Sequence, residues 1–235
     1  SMWLNRFSMP ILNLKELPGG FAESIKKMKE HGMCVKLVNL TMDTNIPTVA
    51  AICYNQNPNK YPALLVGAGS HIEPEKAVQK ALFEMEFMLS EILANPDKEE
   101  ITRPEEISSM YKHPLYYLNP KMRKYWEFVI ASKKTSDLPR SADSTKHDHD
   151  KLMQIVQNLH NMNRKVVYVD ITSSELSRIG LKAVKVFVTD FQPLYVGTQR
   201  RVNLRRLEEA GRYVTKNIKA ARFGSELNSA PHPLP

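Results

Sequence analysis

One run of twenty-one residues, Pro74 to Ala94, constrains this chain more than any other stretch. It opens with proline at its first turn and a glutamate on either side, and carries Ala77, Ala81, Leu82, Met85, Met88, Leu89 and Ile92 at helical spacing. Proline suits that position because the N–H it lacks has no intrahelical partner there. The spacing predicts a helix with one apolar face, which needs a covering layer. The preceding residues supply one. Met33 to Leu40 and Thr48 to Tyr54 are β-rich runs separated by the turn-prone Asp43-Thr44-Asn45, and they predict a hairpin. Ala63 to Val66 predicts a third strand, ending in Gly67-Ala68-Gly69-Ser70, and the long helix is expected to pack on this sheet.

Around this centre the other elements read more simply. Trp3 to Gly20, with its prolines and paired glycines, reads as an extended lead-in, and Phe21 to His31 as a surface helix stopped by Gly32. Glu105 to Ile130 gathers Tyr111, Tyr116, Tyr117, Tyr125, Trp126 and Phe128 into an aromatic cluster. Ser132 to Asp148 is polar and contains Pro139, which predicts a mobile loop. A helix from about Asp150 to Met162, a strand Lys165 to Ile171, a helical turn Ser174 to Ile179 and a strand Ala183 to Val188 together predict an α/β layer joined by crossovers. A basic helix from about Asn203 to Ala221 and a disordered-looking tail follow. The expected fold class is α/β, mixed α+β, in layers of sheet and helix. Its parts are a core at 1–131, a flexible loop at 132–150, a second α/β part at 151–223 and a tail at 224–235.

With 235 residues, 42% apolar and 25% charged, the chain can bury a core without a disulfide staple, and it is neither disordered nor fibrous in makeup. Cys34 and Cys53 each lie in an apolar run, which fits reduced core thiols. No stretch approaches the roughly 18 apolar residues of a membrane span, and Ser1-Met2-Trp3-Leu4-Asn5-Arg6 lacks the apolar centre of a signal peptide, so a cytoplasmic setting is expected. The net charge of +8 is concentrated: between Gly197 and Phe223 eight basic residues face only Glu208 and Glu209. Such a patch suits phosphates, an acidic peptide or nucleic acid, unless it is simply a solvated helix face.

Several short motifs allow two readings. Gly67 and Gly69 could make a phosphate-cradling turn or an ordinary strand-to-helix turn, with neither a Walker lysine-serine pair nor a complete GxGxxG beside them. Glu84 and Glu86 could include a buried acid near a site or be solvated helix glutamates. His147-Asp148-His149-Asp150 resembles a metal tract, but its aspartates equally suit the cap of a helix. Asp170 could project into a crevice or cap a turn with Thr172 and Ser173. GxSxG, HExxH, CxxC and EF-hand patterns are absent from the sequence.

The final residues are the unusual feature: Ala230-Pro231-His232-Pro233-Leu234-Pro235. Alternate prolines favour an extended rod with little entropy left to lose on docking. Such a rod either binds a partner's groove or inserts into its own protein and delivers a terminal carboxylate.

Taken in order, the chain resembles the YcaO family, in particular the cyclodehydratases of thiazole/oxazole-modified microcin (streptolysin-type) bacteriocin clusters. The resemblance is carried by Trp3-Leu4-Asn5-Arg6 with Pro10 and Leu14, by Gly67-Ala68-Gly69-Ser70-His71 ahead of Pro74, Ala77 and Ala81-Leu82-Phe83-Glu84, and by Lys112-His113-Pro114-Leu115-Tyr116-Tyr117. It continues through Val167 to Thr172, Val184 to Phe187 and the terminal PxPxP. The two glutamate-rich E-x-x-E-R segments of such enzymes are not in this sequence, so the resemblance is to their C-terminal half.

The resemblance implies ATP and Mg2+ as cofactors of the intact enzyme, which activates a peptide amide oxygen by phosphorylation and makes thiazoline or oxazoline rings from Cys, Ser or Thr of a ribosomal precursor peptide. It implies a catalytic C-terminal carboxylate on Pro235, held by Pro231 and Pro233, and nucleotide contacts at Glu84, Arg200, Arg201 and Arg205. The metal ligands are not assigned. Implied partners are the precursor peptide, an E1-like leader-binding subunit and in some systems an FMN-dependent dehydrogenase, with a homodimeric intact form. The alternative is a non-catalytic scaffold that binds the precursor or a partner subunit.

Overall fold

The computed structural model describes residues 1–13, 19–95, 100–138, 147–199, 201–215 and 227–234. Two compact units emerge, one of Ser1–Ser144 with Gln192–Pro235 and the other of Thr145–Phe191.

The first unit is built on a five-stranded sheet. Its strands are β1 (Ile11–Leu12), β2 (Met33–Asn39), β3 (Thr48–Asn55), β4 (Leu64–Ser70) and β5 (Thr135–Ser136), in the order β4-β3-β2-β1-β5. The expected hairpin forms, with Met33 opposite Asn55 and Asn39 opposite Val49, and β4 adds antiparallel to β3. At the other side β1 pairs antiparallel with β2 and parallel with β5, so Thr135 and Ser136 are strand where the sequence predicts loop. Residues 139–146 of that loop lie outside the described residues.

Helix α2 (Gly19–Glu30) packs on β2 and is followed by Gly32 at φ 77°, a left-handed stop that glycine adopts without strain. Helix α3 (Pro74–Ala94) has the expected bounds and buries Ala77, Val78, Ala81, Leu82, Met85, Met88 and Ile92 against β3 and β4. The glycines before it are not a turn, as both sequence readings had it. Gly67 and Gly69 lie inside β4, and a Cβ on them would stand 2.3 Å from the Ala81 carbonyl oxygen and 2.2 Å from that of Ala77. Their bare backbone is what lets the helix axis approach the strand.

The lead-in is also more ordered than expected. Met2–Asn5 forms a short helix, α1, closed by Arg6 in the left-handed region. It sets Trp3 into the core, where its ring lies 4.7 Å from Trp126 and 5.7 Å from Tyr117. Both partners come from the predicted aromatic cluster, Tyr117 at the end of α4 (Lys112–Tyr116) and Trp126 just before α5 (Glu127–Ile130). Tyr111 of that cluster stays exposed. Cys34 and Cys53 are free thiols on opposite sheet faces, and burial raises the Cys53 pKa to about 12.

The second unit holds α6 (Asp148–Asn161), β6 (Val166–Asp170), α7 (Ser174–Arg178) and β7 (Val184–Val188). Here the crossover reading is corrected: β6 and β7 pair antiparallel, from Val166 opposite Val188 to Asp170 opposite Val184. The helix between them, α7, has only five residues and is shorter than either strand, and the chain comes back beside β6. Asp170 accepts the Thr172 N–H at 2.9 Å, which is the turn-capping role. His147 sits at the N-cap of α6, with Asp148 and Asp150 in its first turn.

Helix α8 (Leu204–Thr215) returns to the first unit and packs on α1. Among the described residues no helix is long and apolar enough to cross a membrane.

Candidate functional site

The C-terminal tail is not a frayed end over its described part. Leu227, Asn228, Ala230, Pro231, His232 and Pro233 are buried, and Leu234 is half-buried. A proline-rich segment entering a core brings carbonyls without matching N–H groups, and each buried carbonyl needs a donor. Three side chains supply them. Trp3 Nε1–H donates to the Ala230 carbonyl at 3.0 Å, the Tyr117 hydroxyl donates to the Pro231 carbonyl, and His113 Nδ1 lies 2.7 Å from the His232 carbonyl oxygen. The segment is anchored upstream as well, where Asn228 N–H donates to the Leu4 carbonyl at 2.8 Å.

The local sequence explains how these donors converge. His113 and Tyr117 are four residues apart, so the turn of α4 directs both to one side. Trp3 is delivered by α1. Around the docked tail, Met2, Trp3, Ala50, Val66, Trp126, Pro193, Tyr195, His232 and Pro233 are among the residues lining an apolar cavity of about 170 Å³.

The two histidines are fixed by opposite partners. Gly197 N–H donates to His113 Nε2 at 3.1 Å, so the proton of the neutral ring sits on Nδ1 and is donated to the tail. His232 Nε2 lies 2.6 Å from the Tyr195 carbonyl oxygen, which can only accept, so this ring carries its proton on Nε2. Burial lowers the pKa of both; for His232 the neighbouring His113 adds to it and the value falls to about 4. Burial likewise holds the Tyr117 phenol well above its ordinary value, as a permanent donor.

The residues expected to act divide between places. Pro231 and Pro233 are buried in the docked tail just described. Pro235 and Arg200 lie outside the described residues. Glu84 is on α3, where it accepts the Ala68 N–H of edge strand β4 at 2.5 Å. Arg201 and Arg205 are exposed, and Arg205 pairs with Glu209 at 3.1 Å. The basic segment is therefore partly neutralised. Arg206, 4% exposed, makes a two-pronged contact with Asp43 at 2.5 and 2.7 Å. Among the described residues no group of three or more His, Cys, Asp or Glu could hold a metal ion. Glu84 Oε2 is thus engaged at the sheet edge, and Arg205 is ion-paired on the surface. Reading the sequence did not single out Trp3, His113 or Tyr117 as tail-binding donors, although all three stand in the motifs that carried the resemblance.

Residues 1–192 match the profile of the YcaO cyclodehydratases, described as ATP- and Mg2+-binding. The chain belongs to the YcaO family. A relative, an uncharacterized protein of Methanothermobacter thermautotrophicus, is 28% identical over 182 residues, 75% of this chain. Among solved structures the heterocyclase TruD superposes with a TM-score of 0.73 at 18% identity over 99% of the chain. The Escherichia coli microcin synthetase McbBCD complex with pro-MccB17 bound gives 0.51 at 14% identity over 81% of it. These likenesses show a shared YcaO fold. The chain spans 44% of the Methanothermobacter protein, 30% of the TruD chain and 47% of the matched McbBCD chain.

Proposed function

We propose that this chain supplies the C-terminal part of an ATP-dependent YcaO peptide cyclodehydratase, which converts Cys, Ser or Thr of a ribosomal precursor peptide to azoline rings. In this reading Pro231 and Pro233 hold the tail, and the Pro235 carboxylate assists proton transfer at the reacting amide. The nucleotide supplies the phosphoryl group that turns an amide oxygen into a leaving group, and its site belongs mainly to the remainder of the protein. The observation that carries the proposal is the tail itself: a PxPxP segment buried in its own chain with the Ala230, Pro231 and His232 carbonyls each held by a side-chain donor. Holding a group in fixed geometry is how a protein contributes to acyl chemistry at low entropic cost. The bound pro-MccB17 of the microcin synthetase complex supports a precursor peptide as substrate class and a multi-subunit setting.

The test compares the whole protein with a variant extended by one glycine beyond Pro235, which leaves the docked residues unchanged. Each is incubated with a Cys/Ser/Thr-containing precursor peptide, ATP and Mg2+, and ring formation is read by mass spectrometry as loss of one water per ring. The expected result is ring formation by the unaltered protein and its loss on extension, with peptide binding retained. Equal turnover by the extended protein would overturn the role of the terminal carboxylate, and peptide binding without turnover by either would favour the scaffold reading.

A further inference from the structure

The strongest unassigned feature is a side chain with no partner outside the tail and its dock. His113 is fully buried, and both of its ring nitrogens are committed, Nδ1 to the His232 carbonyl and Nε2 to the Gly197 N–H. Its ring also stacks on that of His232, with centroids 3.8 Å apart and planes within 5°. We propose that His113 is the positioning residue of the tail: in its neutral, Nδ1-protonated form it holds the backbone and the ring of His232 together and so registers Pro231 to Leu234 in their groove. The inference rests on the reading above only for its consequence in catalysis.

The chemistry is selective for one protonation state. A proton added to Nε2 of His113 would face the Gly197 N–H, donor against donor, and would place a cation against a second imidazole. The other tautomer would leave the His232 carbonyl without a donor. The side chains facing the pair bring no negative charge to offset it: Tyr117 of α4 donates to the Pro231 carbonyl, and the Tyr195 ring packs edge-on at 6.2 Å from His113 and 4.9 Å from His232. The contact is thus intact only with both rings neutral, which makes tail registration dependent on pH as well as on the residue.

Two measurements on the full chain test this. Selective 15N labelling of histidine reports tautomers by NMR, and at neutral pH His113 should show protonated Nδ1 and His232 protonated Nε2. Amide exchange of the peptide covering Leu227 to Leu234 should rise by about tenfold or more in H113F, which keeps a flat ring but offers no donor. H113N, whose amide nitrogen falls near the Nδ1 position, should restore most of the protection. An Nε2-protonated His113, or a tail as protected in H113F as in the unaltered chain, would overturn the proposal. Should H113F fail to fold, the tautomer measurement decides alone. Activity separates the two readings. A released tail with undiminished ring formation would refute the catalytic role while leaving the positioning role standing, and a docked tail in H113F would do the reverse.

Discussion

The imidazole of His113 lies parallel to that of His232 at 3.8 Å while its Nδ1 donates to the carbonyl of the same residue. One residue of α4 therefore reads both the backbone and the side chain of the tail. The docked state binds no second proton on either ring, since both pKa values lie below the ordinary histidine value of 6.5, His232 at about 4. The released tail takes up protons as pH falls through 6.5, so docking is fully favoured above that value and is lost progressively toward pH 4. The His232 shift corresponds to on the order of 3 kcal/mol across that window. Thermal unfolding midpoints and tail exchange followed downward from neutral pH should show the loss, and H232F should remove most of the slope. A flat profile would contradict the assignment.

Tyr117→Phe removes the donor to a buried carbonyl and leaves the ring in place. The expected cost is about 1–3 kcal/mol. Because the partner is Pro231, the cost should nearly vanish in a chain truncated after Ala230. Denaturant unfolding of the two single variants and the double variant closes the cycle, and additive effects would mean that the hydroxyl acts elsewhere.

Gly67→Ala and Gly69→Ala each drive a methyl group into the backbone of α3. Side-chain adjustment cannot relieve a clash with a carbonyl oxygen, so each should cost about 3 kcal/mol or more. Chemical denaturation checks this. Gly20→Ala, with no atom within 4 Å of the added carbon, is the control and should be near neutral.

Asp43→Asn leaves the buried Arg206 guanidinium facing a neutral group, with Glu209 at 3.5 Å as its remaining carboxylate. Stability should fall by about 3 kcal/mol, the low end for a broken buried pair because Glu209 compensates in part. Arg205→Ala, by contrast, removes an exposed side chain and should change stability by less than about 0.5 kcal/mol. A loss of nucleotide-dependent activity in R205A would then report a ligand contact rather than a folding defect.

Much of the scaffold was legible because it rests on local periodicity. The apolar spacing of Pro74 to Ala94 specified α3 to the residue, and two β-rich runs bounded by turn residues specified β2 and β3, since composition and burial are local requirements wherever the partner lies. What the sequence by itself determined is thus the elements with a strong repeat, the fold class and, through its motifs, the family. The tertiary structure alone decided the rest. Gly67 and Gly69 read as a turn because glycine is common in turns, and only the closeness of α3 reveals them as strand residues stripped of a Cβ. The antiparallel direction of β7 against β6 is likewise a pairing that only the structure shows. The tail site joins Trp3, His113, Tyr117 and the 230–232 carbonyls, and the Asp43–Arg206 pair spans 163 residues. Contacts this remote leave no periodic trace, because the constraint that unites them is the need of a buried polar atom for a partner, and that need is met in space rather than along the chain.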